Sequence, residues 1–166
     1  MKTLTQQLTN YAAYHRDRRN IRTHFVGIPL IVLAVAILLS RPTLPLGPLA
    51  LSPTLPLALV ASAYYLRLDR PLGLVMTALM LGAACLGTQV AMLETTVWLA
   101  WGIGLFVFGW VLQFIGHYYE GKKPAFVDDL MGLAIGPLFV VAEAAFLLGL
   151  RPALQAEIEA EVGPVR

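Results

Sequence analysis

A long apolar stretch of the chain, Trp110-Val111-Leu112-Gln113-Phe114-Ile115-Gly116-His117-Tyr118-Tyr119-Glu120, ends in side chains able to bind a metal or move a proton. On a helix Gln113, His117 and Glu120 fall at i, i+4 and i+7, so they share one face. The paired cations Lys122 and Lys123 follow at once. The two other histidines, His15 and His24, stand near the N-terminus with Asn20 between them. A single interfacial histidine reads as a hydrogen-bonded neighbour of lipid headgroups. Three histidines in two motifs, with Gln113 and Glu120 aligned beside one of them, point to a metal. Spacing alone does not distinguish iron from zinc.

The elements that must position these residues are membrane helices. The 166 residues are 58% hydrophobic and 13% charged, with a mean hydropathy of +0.71, which is more apolar surface than one soluble core of this size buries. Uncharged runs extend over Thr23–Ser40, Pro42–Leu66, Pro71–Leu93 and Thr95–Tyr119, each near the roughly 20 residues a spanning helix needs. A fifth run, Leu130–Leu150, is broken by Glu143. The expected fold is therefore all-α, a polytopic membrane bundle of about five hydrophobic segments with an N-terminal amphipathic surface helix. The expected organisation is one integral-membrane domain: residues 1–22 the amphipathic helix, 23–150 the membrane helices, 151–166 a polar tail.

The N-terminus lacks the apolar core of a cleavable signal peptide. Cys85, the single cysteine, excludes an internal disulfide and a Cys-based zinc cluster. If the first apolar run leaves the cytoplasm, nine of the 12 Lys and Arg residues fall on the cytoplasmic side and three on the other, the expected asymmetry. All three histidines then lie at the cytoplasmic face, of the inner membrane if the source is bacterial. No nucleic-acid partner is expected.

Along the chain, Leu4, Leu8, Tyr11 and His15 recur at helical spacing, predicting an amphipathic helix from about Thr3 to Arg19. The arginines at 16, 18, 19 and 22 read as a band facing lipid headgroups, from which one side chain can also reach a substrate carboxylate. Asn20 and Thr23 are natural N-caps, which places the break near Asn20 and the first span from about His24. A turn there lets His15 and His24 converge. Pro42, Pro45, Pro48, Pro53 and Pro56 predict a loop followed by a short or kinked second helix, expected to complete a span. Arg67–Pro71 makes a turn, and the Glu94 connection makes the third and fourth spans a tight hairpin. Glu143 must face the bundle, either hydrogen-bonded to a group such as Gln89 or a tyrosine, or as a functional carboxylate. The tail from Arg151 reads as a solvated helix without chemistry.

Tyr14-His15, Asn20, His24 with Gly27-Ile28-Pro29, Gln113-Phe114-Ile115-Gly116-His117, Glu120, Lys122-Lys123-Pro124-Ala125, and Pro137-Leu138-Phe139-Val140 with Glu143 together resemble the DUF962 or Mpo1-like proteins. Members of that family are described as iron(II)-dependent dioxygenases that shorten 2-hydroxy fatty acids by one carbon. The resemblance implies Fe(2+) as cofactor, and O2 and a 2-hydroxy fatty acid drawn from membrane lipid as partners. It implies His15, His24, His117 and Glu120 as catalytic metal ligands. Arg19, Lys122, Lys123, Asn20 and Gln113 are then the candidate substrate contacts. Some relatives carry a second histidine beside the first; Arg16 stands there in this chain. Three other readings differ in class: a small proton-coupled transporter working through Glu143, a bis-histidine haem protein, and a noncatalytic membrane assembly factor.

Overall fold

The computed structural model describes residues 2–46 and 49–166, with side chains described outside residues 44–50; Pro48 of the proline-rich segment lies outside the described residues. Among the described residues seven α-helices dominate: α1 Leu4–Ala12, α2 Arg18–Ser40, α3 Thr54–Leu68, α4 Arg70–Ala91, α5 Thr95–Glu120, α6 Met131–Leu147 and α7 Pro152–Val162. A two-stranded antiparallel ribbon, β1 Leu44–Leu46 with β2 Leu49–Leu51, joins α2 to α3. This ribbon was not expected, because five prolines read only as loop.

Helices α2, α4 and α5 are long and apolar enough to cross a membrane. Helices α6 and α7, bent by 113° between them, make a fourth candidate if the pair is one span. The all-α membrane architecture stands. The proline-rich segment yields less than expected: α3 has 15 residues, about 22 Å of helix against a hydrocarbon layer of about 30 Å.

The chain divides into two compact units, Met1–Ile28 with Val111–Arg166, and Pro29–Trp110. In the second unit, α3 folds back on α4 through Asp69, whose carboxylate accepts from Leu72 N at 2.9 Å and caps α4. Gly73 lets α4 approach the backbone of Leu66, and Gly87 lets it approach the carbonyl of Ala36. Ser40 and Thr54 bond to each other and to that carbonyl. Large apolar side chains such as Val60, Leu74, Trp101 and Phe108 are exposed, as expected of helices whose solvent is lipid.

In the first unit, Thr3 and Gln6 form a capping box that starts α1. Leu4, Leu8 and Tyr11 are buried, and α1 packs on α6 and α7. The helix stops at Ala12, well short of Arg19, and α2 begins at Arg18. Asn20 and Thr23 are thus inside α2 and cap nothing; the break lies at Ala13–Asp17. The tail is no bystander: α7 buries Leu154 and Ile158. Gly149 (φ 72°) and Arg151 (φ 58°) supply the left-handed residues that turn the chain into α7.

Candidate metal centre

His15 occupies the turn between α1 and α2, His24 the second turn of α2, and His117 the last turn of α5. One ring nitrogen from each lies within 4.8 Å of those from the other two, and all three residues are buried. Ring centroids are 4.5 Å apart for His15 and His24, 4.9 Å for His15 and His117, and 5.1 Å for His24 and His117. The predicted convergence of the two N-terminal histidines is real. The Ala13–Asp17 turn produces it, ending three residues before Asn20, where sequence reasoning placed the break.

Backbone carbonyls set the tautomers of two rings. His15 Nδ1 lies 2.7 Å from Tyr11 O, and His24 Nδ1 lies 2.9 Å from Asn20 O. A carbonyl only accepts, so each Nδ1 carries the hydrogen and each neutral ring keeps its lone pair on Nε2. Those two Nε2 atoms face each other at 3.0 Å. Burial, and then the neighbouring His24, hold His15 well below the ordinary histidine range, which disfavours the doubly protonated ring that could donate across the pair. Tyr11 stacks on the His15 ring at 4.1 Å and 4°, and Phe139 packs beside both.

Glu120 does something other than expected. Its Oε2 accepts from the backbone amides of Arg16 (2.9 Å) and Asp17 (2.8 Å) and from Asn20 Nδ2 (3.1 Å). A carboxylate from α5 therefore satisfies amides just before the start of α2 and places negative charge at that helix's N-terminus. Glu120 is not among the residues of the histidine cluster. Lys122 holds the same turn by donating to Ala13 O at 2.7 Å.

Asn20 is committed to this frame, through Glu120 and Tyr14 O. Gln113 is buried, one turn before His117, and its Nε2 has no partner. Arg19 is exposed, pairs with Asp17 at 2.9 Å and covers the Tyr119 ring at 4.5 Å. Lys123 pairs with Asp128 at 2.6 Å, and Tyr14 donates to the same carboxylate at 2.8 Å, which together pull Asp128 below the usual carboxylate range.

Arg16 corrects the sequence reading most. It is buried rather than facing headgroups, and its Nη2 lies 3.4 Å from Glu143 Oε1. Glu143 thereby finds an arginine rather than Gln89 or a tyrosine. The guanidinium also donates to Ala12 O and His15 O. Sequence reasoning also missed Gly116. A Cβ there would collide with Thr23 and Asn20 and lie 3.2 Å from His24 Nδ1, so only glycine lets α5 approach α2 at the site. Its position immediately before His117 was the available signal.

A family model described as 2-hydroxy-palmitic acid dioxygenase Mpo1-like matches residues 1–148. The Saccharomyces cerevisiae protein named 2-hydroxy-palmitic acid dioxygenase MPO1 is 32% identical over 160 residues, 94% of this chain and 87% of that protein. The chain belongs to the Mpo1-like family. No solved structure matches it.

Whether this Mpo1-like chain suits a metal is decided by its donors. Two nitrogens at about 2.1 Å from one ion and at right angles to each other stand about 3.0 Å apart, the spacing of His15 and His24. Facing lone pairs in a buried place repel unless a cation lies between them. Buried polar atoms also remain unsatisfied around the cluster: Asn20 Oδ1, Gln113 Nε2, His117 Nδ1 and Glu120 Oε1. Such groups normally find partners. Three neutral imidazoles with neighbouring unpaired donors and acceptors fit a metal that keeps coordination positions for a substrate.

Proposed function

We propose that this chain is an Fe(II)-dependent dioxygenase of the membrane that converts long-chain 2-hydroxy fatty acids to acids one carbon shorter, the step of fatty acid alpha-oxidation. The observation that carries the reading is the pair of Nε2 lone pairs of His15 and His24 facing each other, with His117 alongside. The relative's name, a dioxygenase of 2-hydroxy-palmitic acid, supports the substrate and O2. It also favours iron over zinc, which has no redox chemistry. A 2-hydroxy acid and O2 balance to the shortened acid, CO2 and water, so the reaction needs neither a reductant nor 2-oxoglutarate.

Iron, when bound, supplies the open positions at which a 2-hydroxy acid chelates and meets O2. The protein's part is positioning. His15, His24 and His117 are the ligands, and Tyr11 O and Asn20 O fix two of the rings through their Nδ1 hydrogens. Glu120 serves as the strut that holds the His15 turn. Gln113 Nε2 is a buried donor available to a substrate oxygen. Arg19, Lys122 and Lys123 lie exposed with replaceable partners, where they draw the carboxylate head toward the site while the acyl chain stays in lipid. The histidines face the cytoplasm, a sidedness that the positive-charge asymmetry supports. Glu143 is held by Arg16, which supports a structural role for it over proton-coupled transport.

The test is mass spectrometry of acids extracted from membranes containing the protein, supplied with O2, Fe(II) and a long-chain 2-hydroxy acid. The one-carbon-shorter acid should form, unhydroxylated acids should stay unchanged, and His117→Ala should be inactive. Equal product from wild type and that variant would sink the reading.

A further inference from the structure

The family match ends at residue 148, yet the last four residues of the chain reach back to the histidine site. Arg166 N donates to Arg16 O at 2.7 Å, and Arg18 N donates to Arg166 O at 2.9 Å. This reciprocal pair of backbone hydrogen bonds brackets Asp17 as a strand partner would. Arg16 Nη1 donates to Gly163 O at 3.1 Å, so the segment is tied at both its ends. Gly163 turns it out of α7 with φ 81°, a conformation that suits glycine. Helix α7 is itself anchored through buried Leu154 and Ile158.

The position of these bonds gives them their consequence. His24 and His117 sit on helices, where the backbone ladder fixes them. His15 sits in a turn, where no helical ladder continues past it and contacts from other parts of the chain add to the local bonds to Tyr11 O and Ala12 O. Glu120 at the end of α5 and Lys122 just beyond it grip the turn, and residues 163–166 grip it independently. A ligand displaced by even about 0.5 Å loses much of its use to a metal.

We propose that Gly163–Arg166 is a positioning strap for His15 that sets the affinity of the three-histidine site for a divalent metal. The inference rests on the metal-centre reading above. It assigns a role to a segment outside the family match, and it acts through backbone atoms. The identity of side chain 166 is therefore immaterial, whereas its amide hydrogen is not.

The experiment uses full-length protein in detergent, Co(II) as the probe because its visible spectrum reports coordination, and three variants. Deleting residues 163–166 should weaken Co(II) binding about tenfold, the low end for outer supports of a metal ligand, and change the spectrum. Arg166→Pro, which removes the amide hydrogen and sets a ring carbon against Arg16 O, should weaken binding several-fold, while Arg166→Ala, which removes the side chain and keeps the amide, should match wild type. Hydrogen exchange of the amides of residues 14–17 should speed up in the first two variants and not in the third, with or without metal. Unchanged affinity in both the deletion and Arg166→Pro would overturn the proposal. If wild type binds no Co(II), the metal reading fails instead, and the exchange measurement alone judges the strap: equal protection in all variants refutes it.

Discussion

His15 Nε2 lies 3.0 Å from His24 Nε2, and neither nitrogen has a hydrogen to offer the other, because both Nδ1 atoms donate to carbonyls. In a buried place this is an unfavourable pairing that a cation relieves. Purified anaerobically, the protein should carry close to one iron per chain by elemental analysis. His15→Ala, His24→Ala and His117→Ala should each lose most of it. A full complement in all three would place the ligands elsewhere.

Glu120 separates a strut from a ligand. Its Oε2 serves two amides and Asn20, so Glu120→Gln, which keeps one carbonyl oxygen as acceptor, should retain iron near wild-type stoichiometry. Glu120→Ala should lower thermal stability by about 1–3 kcal/mol through stranded, part-buried amides and weaken the metal. Loss of iron in Glu120→Gln with an unchanged melting temperature would restore it as a ligand.

Gly116→Ala tests the close approach of α5 to α2. The added methyl meets Thr23 and Asn20, and overpacking of this kind costs about 1–3 kcal/mol. Because Asn20 O orients the His24 ring, metal affinity should fall along with the melting temperature. A variant as stable and as metal-replete as wild type would show that the two helices separate without consequence.

The buried Arg16–Glu143 pair predicts an asymmetry. Glu143→Leu leaves a guanidinium without a counter-charge, and breaking a buried pair costs about 3–5 kcal/mol, toward the low end here because the separation is 3.4 Å. Combining it with Arg16→Leu should recover part of that loss in thermal unfolding, offset by the hydrogen bonds Arg16 gives to Ala12 O and Gly163 O. Additive losses would show that the two side chains are uncoupled. Proton-coupled transport lost in Glu143→Gln but kept in His117→Ala would instead favour the transporter reading.

The sequence by itself determined the solvent and the ingredients. Uncharged runs near 20 residues long fix helices in lipid, since backbone groups there must bond within their own segment. The one-face spacing of Gln113, His117 and Glu120 follows from helical periodicity, and the two histidine motifs carry the family. Local rules failed where distant residues intervene. Asn20 and Thr23 look like caps, but Glu120, 103 residues from Asp17, satisfies the amides before α2 and so moves the break to Ala13–Asp17. Arg16 looks like a headgroup contact, yet Glu143 draws it inside. Residues 163–166 look like a tail, yet they pair with the His15 turn. Each of these depends on hydrogen bonds or ion pairs between residues about 100 or more positions apart, which no window of sequence contains. Only the packing of α1, α6 and α7, and of α5 against α2 at Gly116, decided which candidate side chains meet.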